Sequence, residues 1–162
     1  MNKNNLLVER DQKAYMMSRI FNAPRDLVWK VINDPDLIPQ WWGPGYLTTT
    51  VERMEFEVGG AWRYIQKDGN GNKYAFNGVF REIKPPERMV LTFEFEPMAG
   101  HISTETYTFE ELPDGRTKIT TRTVWETLED LEGMLQSGME GGAVETWDRL
   151  EEVLADVRKE SS

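Results

Sequence analysis

The chain has no cysteine and only one histidine, His101, and these two shortages exclude several kinds of chemistry. Without cysteine there is no disulfide framework, no thiolate nucleophile and no sulfur-based metal site. A single histidine also excludes zinc sites that are built on paired histidines. We therefore predict no metal site and no cofactor, and the sequence assigns no catalytic residue.

Positive charge and long apolar runs are also scarce. The chain has 19 Lys and Arg against 28 Asp and Glu, a formal net charge of -9. Because a nucleic-acid backbone needs a concentrated basic face, a nucleic-acid partner is excluded. No apolar run approaches the roughly 20 residues of a membrane-spanning helix, and residues 6–8 are too few for the core of a secretion signal. These absences predict a cytoplasmic protein without a membrane span.

What remains is the composition of one globular domain. The chain has 162 residues, of which 39% are hydrophobic and 29% charged, and this length suits a single domain with a substantial core. No stretch reads as a linker. We predict a flexible N-terminal tail over residues 1–13 and one domain over residues 14–158.

Two short helices are predicted after a first strand at residues 14–21. Pro24 lies at the first helical position, and apolar residues at helical spacing between 27 and 32 give this helix a buried face. Asn33-Asp34-Pro35 ends it. A second short helix follows, and Gly43-Pro44-Gly45 then breaks the chain.

From residue 48 to residue 125 the pattern predicts an antiparallel meander. Apolar and polar residues alternate in short segments, separated by turn signals such as Asp68-Gly69-Asn70-Gly71 and Pro113-Asp114-Gly115. Consecutive strands with short turns pair antiparallel, because parallel pairing needs long crossovers. The predicted strands are residues 48–58, 61–67, 74–83, 89–96, 104–112 and 117–125.

The last segment, residues 128–157, predicts one long helix, because its apolar residues recur every three or four positions. Gly138, Gly141 and Gly142 interrupt it and mark a kink or a close approach to the sheet. Burying the apolar helix face against the apolar sheet face gives two layers. The predicted fold class is α+β, with six to seven strands in a curved antiparallel sheet wrapped around this helix.

Three segments with this order and spacing resemble the START-like (SRPBCC) superfamily, and within it the bacterial homologues of the heat-shock-chaperone ATPase activator. They are residues 21–29 (FNAPRDLVW), Trp41-Trp42-Gly43-Pro44 with residues 55–63 downstream, and residues 138–142 running into 147–150. The resemblance implies a helix-grip fold with an apolar cavity between sheet and helix. The sequence departs from the family's pattern at Ala143, where a bulkier side chain is common, and at Trp147, where leucine is usual. The contents of the cavity therefore do not carry over.

We predict a cavity of at least about 300 Å³, the lower end of the range for ligand pockets, because aromatic side chains from several strands converge beneath the final helix. At most one of Trp41 and Trp42 is expected to face it, since adjacent residues rarely point the same way. Tyrosines there would orient a ligand, and methionines would form an adaptable cover. The candidate cavity-lining residues are Trp41, Trp42, Tyr64, Phe76, Phe95, His101, Tyr107, Trp125, Met134 and Met139. For each aromatic and methionine, ordinary core packing is the alternative.

Two acid–base candidates stay open. His101 has the only ordinary side-chain pKa near neutrality, but it follows Ala99-Gly100 in a predicted solvent-exposed loop. Glu105 shares strand parity with Tyr107, so burial would raise its pKa; its place near a strand end instead favours contact with water.

The resemblance implies that the protein binds a small hydrophobic or amphipathic molecule in the cavity, and the supply of aromatic residues is compatible with this function. One alternative is a polyketide cyclase or dehydratase-like enzyme that uses the same cavity. The other is a chaperone-regulating interaction protein, which the resemblance implies. The sequence leaves open the ligand, whether any reaction is catalysed, whether a chaperone is a partner, and whether the protein is a monomer or a homodimer.

Overall fold

The computed structural model describes residues 5–137 and 139–161, except for the side chains of residues 139, 140, 160 and 161. Within this part of the chain there are eight strands and four α-helices. The strands are β1 (Asn5–Glu9), β2 (Ala14–Phe21), β3 (Thr48–Met54), β4 (Ala61–Lys67), β5 (Lys73–Lys84), β6 (Arg88–Phe95), β7 (Ser103–Glu111) and β8 (Thr117–Trp125). The helices are α1 (Arg25–Ile32), α2 (Ile38–Trp41), α3 (Leu128–Gln136) and α4 (Met139–Ser161).

All eight strands form one antiparallel sheet in the order β1-β2-β8-β7-β6-β5-β4-β3. The meander from β3 to β8 agrees with the prediction, and β2 joins it by pairing with β8. The α+β class with a large antiparallel sheet and a C-terminal helix fits the helix-grip fold.

The predicted number of strands, six to seven, is too low. The additional strand is β1, which lies within the segment where we predicted a flexible tail and pairs with β2 from Asn5↔Ser18 to Glu9↔Ala14. Its partly buried Leu6 and Val8 pack against the core. Two inward apolar residues in five are too weak a pattern to predict a strand. Backbone pairing with β2 stabilises β1 where its side chains contribute little.

The predicted long helix is present as two helices, α3 and α4. At the α3 N-terminus, the hydroxyl of Thr127 accepts a 3.1 Å hydrogen bond from the backbone N–H of Asp130. At its other end, the N–H of Ser137 bonds the carbonyls of Gly133 and Met134. We predicted a kink or a close approach to the sheet at three glycines of this segment. The first of them, residue 138, lies outside the described residues, whereas Gly141 and Gly142 lie within α4.

Helix α4 packs on the face of the sheet that carries the core. Its Trp147 meets the ring of Phe21 on β2 edge-on, with centroids 5.6 Å apart. Asp148 is 2.8 Å from Arg19, a β2 arginine whose side chain is 1% exposed. Both contacts join α4 to β2, at one side of the sheet. No helix among the described residues is long and apolar enough to cross a membrane.

The strand registers determine which side chains share this inner face. Tyr107 on β7 lies opposite Met89 on β6 and Thr121 on β8, and Glu105 lies opposite Leu91 and Thr123. On the far side of β6, Leu91 pairs with Phe80, and across β4 and β5 Tyr64 pairs with Phe76. The inner face thus changes from apolar residues on β6 to a carboxyl, a phenol and threonines on β7 and β8.

Candidate functional site

A pocket of about 100 Å³ lies between the inner face of the sheet and the segment that contains α1 and α2. The helical side contributes Ile32, Asn33, Trp41 and Trp42. The strands contribute Trp62, Tyr64, Phe80, Met89, Leu91, Phe93, Glu105 and Tyr107. Seven of these twelve side chains are aromatic and only Glu105 carries a formal charge at neutral pH, so the pocket is an aromatic box around one acidic group.

The prediction of a cavity of at least about 300 Å³ is wrong in size. Trp42, Trp62 and Phe93 fill much of the space. The ring centroids of Trp42 and Trp62 are 6.5 Å apart, and those of Trp62 and Phe93 are 6.0 Å apart. Such edge-on and tilted contacts are the favoured packing of aromatic rings. Its place also differs, because no described residue of α3 or α4 lines it.

The loop after α2 is fixed from both sides, and this holds Trp42 at the pocket. The backbone carbonyl of Trp42 accepts a 2.9 Å hydrogen bond from the hydroxyl of Thr49 on β3. The next carbonyl, that of Gly43, accepts a 2.6 Å hydrogen bond from Arg149 on α4. Helix α4 therefore acts on the pocket indirectly, by anchoring the loop that carries the tryptophan.

Glycine is favoured at position 43 for two reasons. Its φ of 86° lies in the left-handed region, which side chains other than glycine rarely adopt. A Cβ there would also lie 1.8 Å from the amide nitrogen of Gln66, a buried residue on β4. The Gly-Pro-Gly break that the sequence marks is thus a close approach between this loop and the sheet.

A second glycine, Gly78 on β5, permits the position of Trp62. The indole N–H of Trp62 reaches over β5 to donate a 3.2 Å hydrogen bond to the carbonyl of Thr92 on β6. A Cβ at Gly78 would lie 2.5 Å from that indole nitrogen and 1.9 Å from that carbonyl oxygen. The bare backbone at Gly78 is what allows Trp62 to lie flat across the sheet as one wall of the pocket.

Trp41 differs from Trp62 in the state of its indole N–H. The side chain is 4% exposed and lines the pocket. Its Nε1 is buried and has no hydrogen-bond partner among the described residues. Buried N–H groups are almost always paired, so this indole is an exception within the described part of the chain.

Glu105 and Tyr107 form the polar corner of the pocket and share a side-chain hydrogen bond. Both side chains are half-buried and line the pocket. Burial raises the pKa of Glu105 to about 7, although the hydrogen bond from Tyr107 acts in the opposite direction. Burial, with the nearby Glu105 carboxyl, also raises the pKa of Tyr107 well above 10. At neutral pH the corner therefore holds a neutral phenol beside a carboxyl that is partly ionised.

Four of the predicted cavity residues come together at this pocket: Trp41, Trp42, Tyr64 and Tyr107. Both tryptophans line it, because Trp41 ends helix α2 while Trp42 already has extended backbone geometry. Phe76 and Phe95 line a separate depression of about 250 Å³ instead, beside Tyr46 and Tyr74. Phe76 still touches the pocket wall, since its ring centroid is 5.0 Å from that of Trp42.

Three of the other four candidates lie elsewhere in the described part of the chain. His101 is on the surface, where its Nδ1 is 2.8 Å from a carboxylate oxygen of Asp130. Trp125 is buried in the core at the end of β8, and Met134 on α3 packs against the core. The side chain of Met139 lies outside the described residues.

Several pocket residues were not among our candidates, notably Trp62, Phe93 and Asn33. Phe93 could have been found, because it alternates with Leu91 on the same inward parity as Phe95. Trp62 shares parity with Tyr64 and had the same signal. Asn33 had none: it terminates α1, and only the packing of that helix on the sheet brings it to the pocket.

The fold and the pocket together define a helix-grip domain with a small aromatic site. The family model for "Activator of Hsp90 ATPase homolog 1-like protein" matches residues 22–155. The chain therefore belongs to this family, within the START-like superfamily that the sequence motifs indicated.

Solved structures agree with this assignment. The solution structure of a protein from Arthrobacter aurescens is 26% identical, with a TM-score of 0.85 over 94% of this chain and 91% of that one. A protein from Mycobacterium smegmatis is 25% identical, with a TM-score of 0.83 over 94% and 98%. For a Rhodobacter sphaeroides protein the identity is 19% and the TM-score 0.87 over 94% and 99%, which shows the shared fold alone. Among curated proteins, none matches this chain.

Proposed function

We propose that this protein binds a small apolar or amphipathic molecule in the aromatic pocket, between the sheet and the α1–α2 segment. One observation carries the proposal. Two polar side chains, those of Glu105 and Tyr107, lie together in a lining that is otherwise largely apolar. Ligand sites in proteins commonly combine an apolar lining with a few polar groups that orient the ligand.

The volume limits what enters. A dry apolar cavity of roughly 150 Å³ accepts benzene, and this pocket measures about 100 Å³. It suits a group of a few heavy atoms, either a whole small molecule or the end of a longer one. Binding of an entire lipid or polyketide inside would require the rings of Trp42 and Trp62 to move apart.

Native mass spectrometry of the protein purified from its own host tests this function. We expect a retained small molecule in the wild type and its loss in Leu91→Phe, which places a larger side chain on the pocket wall. Leu128→Phe is the matched control, since Leu128 is exposed on α3 and does not line the pocket. Retention of the same molecule by both variants, or by neither variant nor the wild type, would contradict the proposal.

A catalytic use of the same pocket is the second candidate, and Glu105 is the observation that favours it. A carboxyl whose pKa is about 7, in contact with a tyrosine, suits general acid–base chemistry near neutral pH. This would correspond to the cyclase or dehydratase-like alternative. A chaperone partner, a cytoplasmic location and the choice between monomer and homodimer remain predictions from the sequence and the family.

A further inference from the structure

Glu105 is the group in the pocket that lacks a counter-ion. Its cross-strand neighbours are Leu91 and Thr123, and its hydrogen-bond partner is Tyr107. None of the described residues that line the pocket carries a positive charge. A buried cation does exist on the same sheet face, Arg19, but it is paired with Asp148 on α4. A buried carboxylate without a cation is costly, so this corner is suited to a positively charged guest.

The walls around Glu105 suit the same kind of guest. Aromatic ring faces attract cations through the ring quadrupole, and cages of such rings recognise alkylated ammonium groups. Trp42, Trp62 and Tyr64 lie together on one side, with Trp42 and Tyr64 ring centroids 5.1 Å apart and Trp62 and Tyr64 centroids 4.7 Å apart. Tyr107 belongs to the opposite part of the sheet, next to the carboxyl.

We propose that the pocket binds a small alkylated ammonium cation, with Glu105 as its counter-ion and the surrounding tryptophan and tyrosine rings as its cage. This rests on the proposed function and names the chemical class of its ligand. A pocket of about 100 Å³ is of the right order for a methylated ammonium headgroup and too small for a bulky guest.

The lining favours an alkylated over a primary ammonium group. A primary ammonium has three N–H donors and needs an acceptor for each. The acceptor oxygens among the lining side chains belong to Glu105, Asn33 and the tyrosines, whereas the other walls are apolar. Methyl groups in place of the N–H groups can lie against ring faces without leaving donors unpaired. The net charge of -9 adds a longer-range attraction for any cation.

The proposal also predicts a pH dependence, because only the ionised carboxyl is a counter-ion. Burial raises the pKa of Glu105 to about 7, so its ionised fraction, and with it cation affinity, rises about tenfold between about pH 6 and pH 8. Within the described ranges, the other titratable groups facing this corner are Tyr107 and Tyr64 in the pocket and Tyr15, which lies on β2 opposite Thr123. The pKa values of Tyr64 and Tyr107 are raised by burial, so these phenols stay neutral throughout this range.

Isothermal titration calorimetry with two probes tests the proposal. Choline supplies the cation, and the neutral alcohol in which a carbon atom replaces the choline nitrogen supplies the same shape without charge. At pH 8 we expect choline to bind the wild type at least about tenfold more tightly than the neutral alcohol. Glu105→Gln should abolish this preference and its pH dependence, while Glu110→Gln, on an exposed glutamate of the same strand, should preserve both.

The outcomes separate this proposal from the proposed function. If the neutral alcohol binds as tightly as choline, the pocket still takes a small molecule, but the cation proposal is overturned. The absence of choline binding to the wild type at pH 8 would also overturn the cation proposal. The proposed small-molecule function would still be tested separately, by native mass spectrometry of the wild type and of Leu91→Phe. A choline preference that persists in Glu105→Gln would assign the cation to another surface and would likewise overturn it.

Discussion

Replacing Glu105 by glutamine should make the protein more stable at alkaline pH. Glutamine is nearly isosteric, keeps an oxygen for the hydrogen bond from Tyr107, and removes the charge. In the folded protein the pKa of Glu105 is about 7, against 4.5 for an ordinary glutamate. The folded state therefore holds its proton more tightly than the unfolded chain does. Stability from this group is fully present below about pH 4.5 and is lost as the pH rises to about 7.

The size of this stability change follows from the difference between the pKa of Glu105 in the folded protein and that of an ordinary glutamate. Each pKa unit corresponds to about 1.4 kcal/mol, so the full interval between 4.5 and about 7 corresponds to about 3 kcal/mol. The accessible surface that Glu105 keeps along the pocket allows some hydration of the charge. We therefore expect Glu105→Gln to raise the free energy of unfolding by about 1–3 kcal/mol at pH 8, and by close to nothing near pH 4.5.

Urea denaturation of both proteins at several pH values between about 4.5 and 8 measures this difference directly. Carboxylates elsewhere affect both proteins equally, so the informative quantity is the gap between their free energies of unfolding at each pH. For the control Glu110→Gln, this gap should not widen as the pH rises. A gap of the same size at every pH, or a variant less stable than the wild type at pH 8, would refute the account of Glu105 as a charge buried without a cation.

Three further predictions concern other parts of the structure. Arg63 donates two 2.8 Å hydrogen bonds to Glu96 and holds the pKa of that glutamate at about 2. The contribution of this pair to the stability of the fold is therefore present above about pH 4.5 and is lost as the pH falls towards 2. Because the pair is solvent-screened, Glu96→Gln should lower the free energy of unfolding by only about 1 kcal/mol at pH 7 and by less at pH 3, and an equal loss at both values would contradict this. Gly43→Ala should destabilise by about 1–3 kcal/mol through its positive φ and its contact with Gln66, and an unchanged melting temperature would be inconsistent with that geometry. His101→Ala should leave choline affinity unchanged in calorimetry, and a tenfold loss would contradict its surface position.

Periodicity alone predicted most of the fold, because the elements that bury one face display it in the sequence. The strands from β4 to β8 are found within one or two residues of their predicted limits. β3 ends at Met54 rather than near residue 58, because the chain turns there and the backbone N–H of Glu55 bonds the carbonyl of Ala61. β1 could not be predicted, since an edge strand with one neighbour depends on backbone pairing that leaves little pattern.

The pocket was only partly predictable for a different reason. Strand parity places Glu105 and Tyr107 on one face, and the structure brings both to the pocket. Parity does not say how far a ring extends over the next strand. The reach of Trp62 across β5 depends on Gly78, which the sequence shows only as one glycine within a strand. Pocket volume is set by such ring positions, so the predicted volume was too large.

The composition of the pocket is itself an argument for function. If folding alone determined these side chains, an apolar residue would suit position 105, because its cross-strand neighbour Leu91 and the nearby rings are apolar. Instead, Glu105 is a carboxyl whose ionised form weakens the fold at neutral pH, and Trp41 leaves a buried N–H without a partner among the described residues. Buried groups that cost stability are concentrated at sites where proteins act on other molecules. A guest that brings positive charge to Glu105 would offset the cost at that position. The stability gained by Glu105→Gln at pH 8 and the choline affinity lost in the same variant should therefore arise from one group.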